Sequence, residues 1–243
     1  MKILTWNLGY WQHSTQHDKA WDYLCNNIKP DIALLQEVKP PSSLPQHTII
    51  FEENYQGWGT AIYAPAFALS ADFFSVYPKR VVAATIMFNG WTLLIVSIHA
   101  PIINGRVFPH LNNIFAELES KQYGRSTIVG GDLNTARLAE KVWPKHGHGP
   151  FFERIDSGNP WIDCCRQFHP EEIQTFFRDT CANPFQDDHI FISNDLSDCL
   201  KSCDVINNDI TRNLSDHIPL IAELDLSCAN MVAHLSNPSC TGG

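Results

Sequence analysis

The stretch Ser126-Thr127-Ile128-Val129-Gly130-Gly131-Asp132-Leu133-Asn134 constrains the fold of this chain more than any other. Its β-branched run marks a buried strand. Two glycines follow, and they permit a turn that a side chain would forbid. A carboxylate and a carboxamide come next, two residues apart. A hydrophobic strand that delivers polar side chains to its C-terminal end is the arrangement that binds ligands in α/β sheets. The competing reading is an Asx-turn, with Asp132 and Asn134 capping backbone groups.

Repetition of the pattern favours the first reading. Residues 2–8 read as a strand ending in Asn7. Residues 15–28 read as a helix, with Trp21, Leu24 and Ile28 at helical spacing and Pro30 as its stop. Asp31-Ile32-Ala33-Leu34-Leu35-Gln36-Glu37 is a short apolar strand that ends in a carboxylate. Strand, helix and strand in this order make a βαβ-like start. Pro40-Pro41 and Pro45 then break the chain. Strands are expected at 46–51, 58–64, 69–75, 80–88 and 91–98, with Asn89-Gly90 as a hairpin turn. The last of them runs into His99.

A helix over 107–121 carries Val107, Leu111, Ile114, Phe115 and Leu118 on one face. Residues 135–160 read as loop and short helix, with His146 and His148 as loop residues. Further strands are expected near Trp161, over Asp187–Ser193, at 202–206 and at 218–224. The Asp187–Ser193 strand and the 218–224 strand carry their polar residues at the start, Asp187-Asp188 and Ser215-Asp216-His217. The polar, Pro- and Gly-containing segment 229–243 is expected to be a poorly ordered tail. No linker divides the rest, so residues 1–228 are expected to form one α/β domain of two packed sheets with outer helices.

The 243 residues carry a formal net charge of −9. That argues against a protein held to nucleic acid mainly by a basic surface. It leaves room for an enzyme that meets phosphates through a metal ion. Met1-Lys2-Ile3-Leu4-Thr5-Trp6-Asn7 enters a strand at once, and no apolar run reaches membrane-spanning length. The expectation is therefore a cytoplasmic protein without a membrane span, its eight cysteines reduced. Cys199 and Cys203 lack a second pair at zinc spacing. Nothing in the sequence points to an obligate protein partner.

The strand-end residues Asn7, Glu37, His99, Asp132, Asn134, Asp188, Asp216 and His217 form a set. Carboxylates gathered without a cation repel one another. A divalent metal resolves the repulsion, and oxygen ligands suit a hard ion, Mg²⁺ or Mn²⁺, better than zinc.

Six segments now stand in order: Thr5-Trp6-Asn7, Leu35-Gln36-Glu37-Val38, Ser97-Ile98-His99-Ala100-Pro101, Gly131-Asp132-Leu133-Asn134, Asp188-His189-Ile190-Phe191 and Ser215-Asp216-His217-Ile218-Pro219. Together they resemble the endonuclease/exonuclease/phosphatase superfamily. The resemblance implies a DNase I-like, four-layered α/β sandwich of two mixed β-sheets flanked by helices. It implies a metal-dependent phosphoesterase. Glu37 matches the main metal-binding residue, with Asn7 and Asp216 beside or on the metal. His217 matches the catalytic histidine and Asp188 the carboxylate that orients it. Asp132 matches the residue that positions or deprotonates the attacking water, Asn134 a donor to the phosphate. His99 falls where DNase I-like members carry a second histidine.

The substrate is less legible. Arg106, Arg137 and Arg178 lie near these segments and could clamp a phosphate. Phe176 follows Thr175 in a Thr-aromatic pair and could line the site. Trp11, Trp58, Trp143 and Phe177 could stack on a base if exposed. Three readings stay open: a nuclease acting on DNA or RNA, a phosphodiesterase or phosphatase acting on a small or lipid phosphate, and a binding protein that keeps the fold.

Overall fold

The structure, a computed structural model, describes residues 1–122, 125–144, 147–157, 160–178 and 183–228. The expected tail at 229–243 and His146 lie outside those residues.

Strands β1 (Lys2–Asn7), β2 (Ile32–Val38), β3 (Ile49–Tyr55) and β4 (Trp58–Tyr63) join β11 (Leu200–Val205) and β12 (Leu220–Leu224) in a six-stranded sheet. Its order is β11-β12-β1-β2-β4-β3. The other strands are β5 (Ser70–Asp72), β6 (Val81–Phe88), β7 (Trp91–His99), β8 (Ser126–Asp132), β9 (Trp161–Asp163) and β10 (Asp188–Ser193). They form a second six-stranded sheet in the order β5-β6-β7-β8-β10-β9. Each sheet is mixed: β1 and β2 run parallel in the first, β7 and β8 in the second.

Side-chain alternation explains why the sheets stack. Ile3, Ile32 and Leu34 of the first sheet meet Leu93, Ile95, Ile128 and Ile190 of the second in one buried core. The intervening residues face outward. Leu4, Trp6, Ala33 and Leu35 pack against Ala20, Trp21 and Leu24, in and just after helix α2 (His17–Tyr23). On the far side, Leu94, Val96 and Ile98 pack against Leu111, Ile114, Phe115 and Leu118 of α3 (Phe108–Lys121). Helix–sheet–sheet–helix gives four layers. Each fully buried Leu or Ile contributes roughly 1.5–3 kcal/mol relative to exposure.

The helix expected over 15–28 begins at His17 and changes from α to π character before its end. The turn α1 (Tyr10–His13) precedes α2, and residues Leu24–Ile28 form a π-helical turn. Lys29, at φ 52, closes that turn in the left-handed region just before Pro30. Residues 135–160 contain two short helices, α4 (Arg137–Val142) and α5 (Gly149–Asp156). The last described α-helix is α6 (Asp209–Leu214).

The paired glycines have a different use from the turn expected of them. Both lie inside β8, hydrogen-bonded between β7 and β10. A Cβ on Gly131 would lie 1.8 Å from the Ile98 carbonyl oxygen, and one on Gly130 2.6 Å from that of His189. They allow close approach of three backbones, and the chain turns only after Asp132.

Climbing the inter-sheet face, the apolar core gives way to polar residues. Above Ile3, Leu34 and Ile95 stand Thr5, Gln36 and Ser97, all buried. The Gln36 amide donates to Ser97 Oγ at 3.0 Å, and Thr5 Oγ1 donates to Gln36 Oε1 at 3.4 Å. The next residues up are Asn7, His99 and Asp132.

Candidate active site

The floor of the site is the strand-end level above that polar layer. Glu37 reaches it by a backbone irregularity. The β2–β4 register shifts between Leu35 and Val38, and Glu37 sits at φ 48. Alternation would send Glu37 to the helix side, opposite Gln36. The bulge re-aims its carboxylate into the cleft, a common device beside functional sites.

Asp132 is the centre. Its Oδ2 accepts from Asn7 Nδ2 at 2.9 Å, and its Oδ1 accepts from the Asn134 backbone N–H at 3.0 Å. The Nε2 atoms of His99 and His217 each stand 3.9 Å from Oδ2. His217 Nδ1 is 2.8 Å from Asp188 Oδ2. Asp188 is fixed in turn, its backbone N–H donating to Thr175 Oγ1 at 3.1 Å. The His217 carbonyl accepts from Trp6 Nε1 at 2.9 Å, and Ser215 Oγ accepts from the His217 N–H at 3.1 Å. The Phe176 ring lies 4.9 Å from the His217 ring and forms a backbone bridge with it.

The electrostatics are those of crowded carboxylates. Burial, and then the Asp132 charge, push Glu37 up to about 7. His99 is lowered to about 4 by burial, which outweighs the pull of Asp132. It is a neutral imidazole at neutral pH. Burial also disfavours the charged form of His217, but Asp188 and Asp132 outweigh it and hold the imidazole well above its usual value. Asp188 itself is raised, by burial, against the opposing pull of His217.

The eight strand-end residues expected from the sequence gather around Asp132 and Glu37, with three details that spacing did not reveal. The Asn7 amide points its nitrogen at Asp132, while its oxygen accepts from the Gly9 N–H at 2.9 Å. The Asn134 side chain, on a residue at φ 50, donates to the Ala100 carbonyl at 3.0 Å, leaving its second N–H for another partner. Among the described residues, Asp216 has only His13 within ion-pair distance, at 4.0 Å.

The arginines sort differently. Arg137 is committed to the protein: its guanidinium pairs with Asp156 at 2.5 Å and Asp163 at 3.3 Å and lies 4.4 Å over the Phe152 ring. That engagement removes it as a phosphate clamp. Arg106 is exposed, in a tight turn closed by paired Ile103–Arg106 backbone bonds. Arg178 is exposed too. Among the aromatics, Trp11 and Trp143 are exposed, Trp58 sits 6.2 Å from His99, and Phe177 lies under Arg212. His148 is buried against Thr135 Oγ1 at 2.8 Å.

Two further residues stand at the site, the first without any sequence signal and the second seen only as one of the carboxylates that open the Asp187–Ser193 strand. Arg80 follows a turn in which Tyr77 and Lys79 both have positive φ, and its carbonyl accepts from the His99 N–H at 2.8 Å. Its half-buried guanidinium has no carboxylate within ion-pair distance among the described residues, but Glu37 and Asp132 act on its charge. The other is Asp187, beside Asp188, whose carboxyl is pushed up to about 8 by burial and then by Asp132.

The donor set fits a hard cation. Glu37 and Asp216 face the same cleft, and neither has an ion-pair partner nearer than 3.6 Å among the described residues. Among those residues, too, no three His, Cys, Asp or Glu side chains close into a cage. A hard cation such as Mg²⁺, if held here, would need water or phosphate oxygens to complete its shell.

Two mixed sheets between helices, with this cleft at their strand ends, define a DNase I-like α/β sandwich. Residues 4–217 match the model of the endonuclease/exonuclease/phosphatase family, and the chain belongs to that family. Among solved structures it is similar to a 3′ phosphatase, NExo, from Neisseria bound to a product DNA hairpin, at 23% identity and TM-score 0.69, over 93% of this chain and 99% of that one. An AP endonuclease from Archaeoglobus fulgidus matches at 20% identity and TM-score 0.67, over 93% and 99%. A humanized TDP2 from D. rerio matches at 16% and 0.66, over 93% and 98%. No curated protein matches the sequence significantly. Among the described residues no helix is long and apolar enough to cross a membrane.

Proposed function

We propose that this chain is a divalent-metal-dependent phosphoesterase that hydrolyses phosphodiester bonds by in-line attack of water, acting as a nuclease on DNA or RNA. The observation that carries the reading is the geometry around Asp132. One carboxylate oxygen is held by Asn7 and flanked by a neutral and a charged imidazole.

Asp132, held at both oxygens, orients the attacking water and draws off its proton. His217, kept as imidazolium by Asp188, offers its Nε2 to a negative phosphoryl oxygen as charge builds. Arg80 and the second side-chain N–H of Asn134 hold the phosphate on the His99 side. Arg106 and Arg178, both exposed, would meet the phosphates of a longer chain. Glu37 and Asp216 would hold the cation, whose charge offsets that of the phosphate and the leaving oxygen. Mg²⁺ or Mn²⁺ suits those oxygens.

The DNA hairpin bound in the Neisseria structure and the AP endonuclease neighbour support a nucleic-acid substrate. Five described cysteines are free thiols, in keeping with a cytoplasmic setting. We take residues 1–228 as the working unit.

The test is a panel of plasmid DNA, single-stranded DNA, RNA, bis-p-nitrophenyl phosphate and inositol phosphates with Mg²⁺ or Mn²⁺, and Glu37→Gln as control. Cleavage of a nucleic acid that the control abolishes is expected. Hydrolysis of small esters alone would replace the nuclease reading with a small-phosphate one. No metal-dependent turnover on any member would overturn both.

A further inference from the structure

Asn7, His99 and Asp132 reach the site along the inter-sheet face, and β4 brings a side chain there by the same route. Because β4 runs antiparallel to β2, its first residues lie beside the end of β2, with Gly59 opposite Val38. Alternation puts Ile62, Thr60 and Trp58 on one face. Ile62 lies in the core between the sheets, and Thr60 above it is buried. Trp58 is the next step up, and its ring centroid stands 6.2 Å from that of His99.

Packing does not account for that indole. Trp58 is half-buried and belongs to none of the apolar clusters that hold the layers together. Among the described residues its Nε1 has no hydrogen-bond partner, and His99 is its one ring neighbour. The two rings are tilted by 44°, so His99 does not stack on the indole. The Arg80 carbonyl accepts from the His99 N–H at 2.8 Å, and the Arg80 charge acts on the same imidazole. An aromatic ring and an arginine thus adjoin His99, the pair of groups that a base and its phosphate call for.

The net charge of −9 gives this chain little general attraction for a phosphate backbone, so contacts to bases must supply affinity. In a duplex each base face is covered by its neighbours. An unpaired nucleotide can offer its face to a side chain.

We propose that Trp58 determines specificity: its indole is the platform on which the base next to the scissile phosphate stacks, so that the enzyme takes unpaired strands in preference to duplex. This rests on the nuclease reading above and narrows it.

The experiment measures binding in EDTA, which prevents turnover. Fluorescence anisotropy compares a short labelled oligothymidylate with a strand of equal length made of abasic sites, and with the matching duplex. The proteins are the parent, Trp58→Phe and Trp58→Ala, each with its melting temperature. The parent is expected to bind oligothymidylate about 5–150-fold more tightly than the abasic strand, the usual worth of a base stacked on an aromatic ring. Trp58→Ala should erase that preference, Trp58→Phe should keep most of it, and the affinity of both for the abasic strand should stay within about 3-fold of the parent. A strand carrying 2-aminopurine should lose fluorescence on binding the parent and keep it on binding Trp58→Ala. Equal affinity of the parent for the two single strands, a preference for duplex, or an undiminished base preference in Trp58→Ala would overturn the proposal. Failure of the parent to bind any of the three nucleic acids would instead overturn the nuclease reading beneath it.

Discussion

His99 and His217 aim their Nε2 atoms at the same oxygen, Asp132 Oδ2, each from 3.9 Å, yet they hold opposite protonation states. The difference lies behind the rings. His217 has Asp188 at 2.8 Å on its Nδ1, while His99 Nδ1 is buried without a hydrogen-bond partner among the described residues. One oxygen therefore has a cation on one side and a neutral ring on the other.

His217→Ala is expected to lower kcat by roughly 10²–10⁴-fold, the usual worth of a positioned acid–base group. Asp188→Asn should fall in the same direction, because the ring loses the anion that charges it. Steady-state kinetics on folded protein checks both. A parent-like kcat in either would remove the pair from the chemistry.

Arg80 and Arg137 should separate cleanly. Arg80→Ala is expected to reduce kcat/KM by roughly 10–100-fold, the loss of a charged hydrogen bond to phosphate, with little change in stability. Arg137→Ala should do the reverse, costing roughly 1–3 kcal/mol of stability through its carboxylate pairs. Urea denaturation beside kinetics distinguishes the two, and a KM effect confined to Arg137→Ala would reverse their roles.

Asp187 gives a pH signature. Its folded pKa is raised from the ordinary 3.8 to about 8. A raised carboxyl binds its proton more tightly in the folded state. Its contribution to stability is present below about pH 4 and is lost as pH rises through about 8. The melting temperature of Asp187→Asn minus that of the parent should therefore grow between about pH 5 and about pH 9. A constant difference over that range would mean the carboxyl is not held in its acid form.

Gly131 and Gly90 make a contrast in backbone terms. Gly131→Ala drives a methyl against the Ile98 carbonyl and should cost about 3 kcal/mol or more, at the upper end of overpacking. Gly90, at φ 83 in the β6–β7 hairpin, has nothing within 4 Å of an added Cβ. Gly90→Ala should cost roughly 1–2 kcal/mol, from conformation alone. Equal losses in equilibrium unfolding would contradict the packing account.

Much of this site was legible because strands have period two. An apolar run that stops at Asn7, His99 or Asp132 announces a strand end, and strand ends lie together in an α/β sheet. What stayed hidden depends on partners far along the chain. Glu37 faces the cleft through a bulge that exists only against β4. Arg137 looked like a clamp because Asp156 and Asp163 are distant in sequence. Arg80 sits in a turn, where no periodicity marks a side chain's direction. The glycines of β8 looked like a turn because local sequence does not reveal that two other strands press on them.

The polar layer of Thr5, Gln36 and Ser97 lies where the two sheets meet, and the pair above it spans the same seam. Asp188 comes from the second sheet, and His217 from the approach to β12 in the first. The Asp188–His217 pair thus acts as a gauge of how the halves are seated. Substitutions that slide one sheet over the other should silence the protein before they unfold it. Under the proposed function, changes confined to the loops around the site should alter which substrate is accepted while leaving the central groups in place.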